Sequence, residues 1–370
     1  MKSLRILIIR NAYQKDTGGA EQYALNLAIA LKTAGHKPVL VTKVKQTQEK
    51  AKINNIKHIN GKWYDEQGWS RLYYILFPLI TFWYIYVIIR HGIDVVHPMS
   101  RDDFVFASNA GYILNKKIVW SDHADLKYIL DNTNHYNPRM RRWVINASKH
   151  ASEIISTSYS DRKAVIEVAP DLPKTTLIHN GVFTPKDINP IKKTNKLIVG
   201  TNARLVEDKG ISELMKGFAA LKNENVDLWL LGGYSGNKTT YENLAKKLGI
   251  LNHVSFLGYV NKPNDVVAAM DVFVHPSYME AFSLAIIEAA MLGRPIIATN
   301  VGGTPEIIDN TCGILIEPRD PVAITNAINK LLVDASLRKQ IGDTIRIKAE
   351  REFDFQKIVE KKIIPLYLKL

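Results

Sequence analysis

Short apolar runs of three to six residues alternate with helix-period stretches along nearly the whole chain, and this alternation limits the folds open to it. The first set of runs covers 5–9, 38–42, 94–97, 117–121, 153–157 and 176–179. The second covers 197–201, 226–231, 254–256, 272–275, 295–299 and 313–316. Helical patterns such as 20–34 and 211–221 lie between them. Strands that are apolar on both faces, separated by helices, predict parallel sheets covered on both sides. Two sets of about six strands predict an α/β chain with two doubly wound, Rossmann-like parallel-sheet domains. The stretch TPKDINPIKKTNK at 184–196 has linker composition and divides them into 1–184 and 185–352. A chain of 370 residues suits two domains of ordinary size.

In open sheets of this kind, ligands bind beyond the carboxyl ends of the strands. The residues that follow each strand are therefore the candidates for chemistry. Two domains whose strand ends face each other would bring them to one cleft. After the first strand comes Asp16-Thr-Gly18-Gly19-Ala-Glu21, where glycines allow close backbone approach and a helix start offers amides to an anion. It is neither G-x-G-x-x-G nor a Walker A sequence, and taken alone it reads equally as a strand–helix turn. After the seventh predicted strand, Arg204 and Lys209 stand five apart with Gly210 following. A planar fork and a mobile point charge suit a diphosphate, although Glu207 and Asp208 beside them also fit a plain charged surface.

Glu280-Ala-Phe282-Ser283-Leu284-Ala-Ile-Ile-Glu288 follows the strand at 272–275. Carboxylates eight apart do not sit side by side on a helix. Glu280 is expected in the loop and Glu288 inside the helix, with Phe282 to Leu284 presenting amides between them. Glu288 beside Leu284, Ile287, Ala289 and Ala290 needs a partner, because burying it alone is costly. Asn300-Val-Gly302-Gly303-Thr-Pro305-Glu306 is a further glycine turn, read either as phosphate amides or as a helix start with proline. There is no Asp-x-Asp, no Gly-x-Ser-x-Gly, and no histidine one, three or four residues from another. We therefore expect no metal and no cofactor. A phosphate site without a metal relies on cations and amides.

Taken together, these segments resemble the retaining glycosyltransferases of family 4, which have the GT-B fold. The resemblance is carried by GGAEQYALNLAIALKTAGHKPVLVT at 18–42, IDVVHPMS at 93–100, HNGV at 179–182, ARLVEDKGI at 203–211 and the long block at 270–308. It implies two Rossmann-like domains facing across a cleft, with part of 353–370 crossing back onto the first. It implies a nucleotide-sugar donor, UDP foremost, bound by the second domain, and an acceptor bound by the first. Residue by residue, Gly18 and Gly19 match the loop at the diphosphate and acceptor. His123 matches the histidine at the donor sugar. Arg204 and Lys209 match the phosphate pair, and Glu280 the first Glu of the Glu-x7-Glu motif. Phe282, Ser283 and Leu284 match the amide-bearing stretch, and Glu288 the ribose-binding Glu. Ala203, Ala281 and Ser283 depart from the usual glycine-rich pattern and bear on sugar identity. A front-face displacement is favoured over a two-step route through a carboxylate. Epimerases or hydrolases of sugar nucleotides, and a catalytically silent binding protein, are the alternatives.

The net charge of +13 is uneven, with +10 in residues 1–190. A basic first half suits an anionic partner such as lipid head groups or phosphorylated substrate. Nothing supports a nucleic-acid module. Leu72 to Ile89 carries no formal charge over eighteen residues, between Arg71 and Arg90. The flanking strands belong to one sheet, so a bilayer crossing is excluded on topology. The helix is either buried in protein or dips one face into lipid, with Tyr73, Tyr74, Trp83, Tyr84 and Tyr86 suited to the interface. Arg139, Arg141, Arg142 and Lys149 would meet acidic lipid. The lone Cys312 fits a reducing compartment, and the four-residue apolar run at 6–9 is a strand rather than an export signal. The expectation is a cytoplasmic protein, peripheral on the inner face of the membrane, acting on a lipid-linked or cell-surface glycan acceptor.

Overall fold

The computed structural model describes residues 3–11, 18–61, 71–123, 125–131, 138–191, 195–234 and 236–370. It consists of two compact units, Met1–Asn180 with Phe355–Leu370, and Gly181–Asp354. In the first unit, seven strands form one parallel sheet: β1 (Arg5–Ile9), β2 (Lys37–Thr42), β3 (Lys57–Asn60), β4 (Val95–Pro98), β5 (Lys117–Asp122), β6 (Glu153–Ser156) and β7 (Thr175–Leu177). Their order is β3-β2-β1-β4-β5-β6-β7. The second sheet has six: β8 (Leu197–Asn202), β9 (Val226–Leu231), β10 (Val254–Gly258), β11 (Val272–His275), β12 (Ile296–Thr299) and β13 (Ile314–Ile316), ordered β10-β9-β8-β11-β12-β13. Both orders reverse direction beside the first strand, at β1/β4 and at β8/β11.

Each apolar run forms a strand to within two residues. Apart from Arg5 at the start of β1, strands β1, β4, β6, β11 and β12 are buried along their length, as both-face coverage requires. The strand not foreseen is β3, whose sequence KHIN holds one apolar residue. It lies at the sheet edge, where one covered side chain suffices.

The last residues of the chain pack into the first unit. Phe355 meets Tyr23 edge-on at 5.2 Å, and Gln356 donates to the Ala30 carbonyl at 3.3 Å. The Tyr367 hydroxyl pairs with His97 Nδ1, while His97 Nε2 lies 2.7 Å from Ser121 Oγ. Tyr367 and His97 are both fully buried.

Helix Arg71–His91 has two faces of different fate. Ile80, Tyr84, Val87 and Ile88 enter the core. Leu79, Phe82, Tyr86 and Ile89, spaced three, four and three apart, are 53%, 63%, 61% and 65% exposed. The helix is therefore neither buried all round nor free all round. Tyr84, expected at an interface, is instead buried and donates to Asp103 Oδ1 at 2.7 Å. Trp83 is half-buried against it, and the side chains of Tyr73 and Tyr74 fall outside the described residues. Phe77 reaches Trp143 of helix Pro138–Ser148 at 4.6 Å, so the basic helix adjoins the apolar one. Arg139, Arg142 and Lys149 are exposed, but Arg141 turns inward and donates to the Leu130 carbonyl at 2.7 Å. No helix among the described residues is long and apolar enough to cross a membrane.

Burial holds the His97 imidazole down to about 3. Below about 6.5 the unfolded chain takes up a proton that the folded ring refuses, so stability falls as pH drops from there toward 3. By pH 5 this amounts to roughly 2 kcal/mol. Urea titrations at pH 7 and pH 5 should show that loss, and His97→Gln should remove its share of the pH dependence, leaving what His123, another buried imidazole, contributes.

Candidate active site

The chemistry-bearing residues of each unit gather past the carboxyl ends of the strands at which strand order reverses, the place where such sheets bind ligands. In the first unit these residues follow β1, β4 and β5. The Arg10 guanidinium, buried at the end of β1, bonds Glu21 Oε1 through Nε at 2.7 Å and the Met99 carbonyl through Nη1 at 3.0 Å. Glu21 Oε2 accepts from the Gly18 amide at 3.1 Å. Asp103 accepts from the Asn11 amide at 3.0 Å, from Tyr84 and from Ser100. Burial pushes the Asp103 carboxyl upward, against the pull of those hydrogen bonds. Both ends of the segment between Asn11 and Gly18 are thus held by buried carboxylates. Asp16 and Thr17 of the predicted motif lie outside the described residues.

Gly18 caps helix Gly19–Thr33, but its amide is already engaged by Glu21. His123 follows β5, with its ring edge-on to Tyr23 at 4.6 Å. Its Nε2 has no hydrogen-bond partner among the described residues. Burial, then the charge of Arg10, holds the imidazole down to about 3, so it is neutral at physiological pH.

In the second unit, Arg204 is exposed after β8, and Leu205 behind it is buried. The turn Glu207–Lys209 ends at Gly210, whose φ of 64° places it in the left-handed region. A Cβ there would collide with the Pro276 carbonyl. The Tyr278 amide donates to the Asp208 carbonyl at 2.8 Å, joining the loops after β8 and β11. Across that joint, Lys209 Nζ reaches Glu280 Oε1 at 2.6 Å. His275 Nε2 reaches the same oxygen at 2.8 Å. Burial alone would raise the Glu280 carboxyl, but the hydrogen bond and charge of His275 and the Lys209 ammonium bring it down to about 2.

Ser283 caps helix Leu284–Met291, accepting from the Ile286 amide. The Phe282 ring is buried against Phe353. Leu284 and Glu288, four apart, share the half-open face of the helix, while Ile287, Ala289 and Ala290 are buried. Glu288 therefore does not lie on the apolar face expected for it. The Gly303 amide donates to the Ala281 carbonyl at 3.1 Å, and Gly302 leaves no room for a Cβ beside Glu280. This glycine pair supports the Glu280 loop rather than offering that amide to a phosphate. A cavity of about 590 Å³ adjoins the loops, lined by Glu207, Asp208, Tyr278, Met279, Pro318 and Arg319. Sequence reasoning missed Arg10 and His275 as site builders; Glu21 and Asp103 fell within segments it singled out after β1 and β4, without a role of their own. A lone charge at each strand end or helix start was the available signal.

Residues 17–184 match the family model described as Glycosyltransferase Family 4, and residues 184–348 match Glycosyl transferases group 1. The chain belongs to the family 4 glycosyltransferases. It is 34% identical over 170 residues to the capsular polysaccharide biosynthesis glycosyltransferase CapM of Staphylococcus aureus, covering 45% of each chain. It is 24% identical over 337 residues to a subunit of human phosphatidylinositol N-acetylglucosaminyltransferase, covering 85% of this chain and 65% of that one. The chain thus spans less than two thirds of the length of these curated relatives. Among solved structures, Anabaena HepE in complex with UDP superposes with a TM-score of 0.83 at 21% identity, over 99% of this chain and 100% of that one. A glycosyltransferase from Rickettsia africae superposes with 0.84 at 20%, over 100% and 99%. These likenesses show the GT-B fold of two Rossmann-like units.

Gly210→Ala should destabilise the second unit by roughly 1–3 kcal/mol, because the new methyl meets both a strained backbone and a fixed carbonyl. Chemical denaturation of the full chain reads this directly.

Proposed function

We propose that this chain moves a sugar from a nucleoside diphosphate, UDP foremost, to a glycan or lipid-linked acceptor, with retention at the anomeric carbon and without a metal. The observation that carries the reading is the Lys209–Glu280 pair that joins the loops after β8 and β11, with an exposed Arg204 five residues before Lys209 in the first of these loops. Arg204 and Lys209 are the cations for the charge that grows on the departing diphosphate. Glu280 stays ionised beside the transferred sugar, and Glu288 on the open helix face takes the ribose hydroxyls. Backbone amides of Phe282, Ser283 and Leu284 complete the donor site. His123, neutral and with an unpartnered Nε2, meets a donor-sugar hydroxyl, while Gly18 and Gly19 frame the acceptor side. The departing phosphate accepts the acceptor's proton in a front-face displacement. UDP in HepE and the polysaccharide role in the name of CapM support this reading.

The exposed stripe Leu79, Phe82, Tyr86 and Ile89 supports an acceptor held at a membrane. Exposed Arg139, Arg142 and Lys149 nearby, in the basic first half of the chain, select an anionic surface at the inner face of the cell membrane. The human relative carries a lipid, phosphatidylinositol, in its name.

Purified protein with source-cell membranes and labelled UDP-, GDP-, CDP- and dTDP-sugars should transfer label from one donor. Arg204→Ala should lower kcat by about 10²–10³, and a chelator should leave the rate unchanged. No transfer from any donor, with wild type and variant alike, refutes the reading. Separately, the protein should sediment with vesicles containing acidic lipid and not with neutral ones. Phe82→Ser with Ile89→Ser should release it without changing its melting temperature by more than about 2 °C.

A further inference from the structure

We infer that His275 is a positioning residue for Glu280, holding its Oε1 oxygen so that Lys209 can turn to the donor diphosphate while Oε2 stays presented to the sugar. The inference rests on the donor-site reading above and assigns a part to a residue that reading leaves out.

Nε2 of His275 lies 2.8 Å from Glu280 Oε1, 3.2 Å from Ser277 Oγ and 3.2 Å from Ser283 Oγ. A carboxylate oxygen has no proton to give, so a contact of 2.8 Å requires the proton on Nε2. The ring is 2% exposed and stacks on Phe273, two residues earlier on the same face of β11, so its aim is set by packing. The oxygen it holds is the one that Lys209 also holds. Glu280 Oε2 has no partner among the described residues, and it is not sealed from solvent as His275 Nδ1 is.

That sharing has a consequence for the reaction. A lysine that leaves the carboxylate for a diphosphate would strand a largely covered charge, which is costly. It would also free the Glu280 side chain to change rotamer. His275 removes both penalties. The carboxylate keeps a donor on Oε1, and Oε2 keeps its direction toward the sugar. Because Ser283 is also the cap of helix Leu284–Met291, the same ring ties the Glu280 loop to the helix that carries Glu288. Lys209 and His275 are the titratable groups on Glu280 from the loop after β8 and from β11.

The test compares full-length wild type, His275→Leu and His275→Gln, the last retaining a side-chain N–H at similar reach. The Glu280 carboxyl is followed by carbon NMR of glutamate-labelled protein, its resonance assigned by its loss in Glu280→Gln. In His275→Leu the Glu280 midpoint should rise by at least about one pH unit, and kcat should fall on the order of tenfold with donor KM within about twofold. His275→Gln should return both toward wild type. An unchanged Glu280 midpoint in His275→Leu overturns the proposal. Equal impairment of the Leu and Gln variants at matched melting temperature also overturns it, since that is the behaviour of a packing residue. Wild-type protein that transfers no sugar would sink the proposed function while leaving the carboxyl titration to judge His275.

Discussion

A parallel sheet covered by helices on both faces leaves little place for a charge in the middle of its strands, and the charged residues these strands carry, such as Arg5, Asp122 and Glu153, stand at strand ends. Charge is best accommodated at and past the strand ends, where the helices part. In this chain Arg10, His123, Arg204 and Glu280 all stand within a few residues of such ends. The reversal of strand order beside β1 and beside β8 opens a crevice in each sheet, so the polar loops converge there rather than elsewhere on the rim. The location of the candidate site follows from this constraint more than from any single motif.

Carboxylates held near a core have to be matched. Glu21 is matched by Arg10 and a backbone amide, Asp103 by two hydroxyls and an amide, and Glu280 by Lys209 and His275. The outcomes differ. Burial outweighs the donors on Asp103 and pushes it up, whereas on Glu280 His275 and then the Lys209 ammonium outweigh burial and draw it down. The first arrangement fixes loop ends. The second keeps a charge beside a cation from a neighbouring loop.

Helix Arg71–His91 shows how far pattern reading goes. Its composition is apolar on every side, so no periodicity separates an inner from an outer face. The division into a buried face and an exposed stripe comes from the neighbours, helices Arg101–Ile113 and Pro138–Ser148 and the sheet beneath. Tyr84 and Tyr86, two residues apart and chemically alike, end in opposite surroundings because two positions turn a helix by more than half a revolution.

Amino-acid order alone determined the alternation of strands and helices, the two-sheet architecture and the motif loops, because each depends on local periodicity and on residues near in sequence. The family resemblance, carried by contiguous blocks such as 270–308, named Arg204, Lys209, Glu280 and Glu288. Tertiary structure alone decided that β3 joins an edge with one apolar side chain, and that Gly303 braces Ala281. It also decided that Glu288 stands on the half-open helix face, and that His275 and Lys209 meet on one carboxylate oxygen. Lys209 and Glu280 are seventy-one residues apart, and no local pattern encodes their approach. It arises only when two parallel strands, β8 and β11, lie side by side and their loops share the same few ångströms of space.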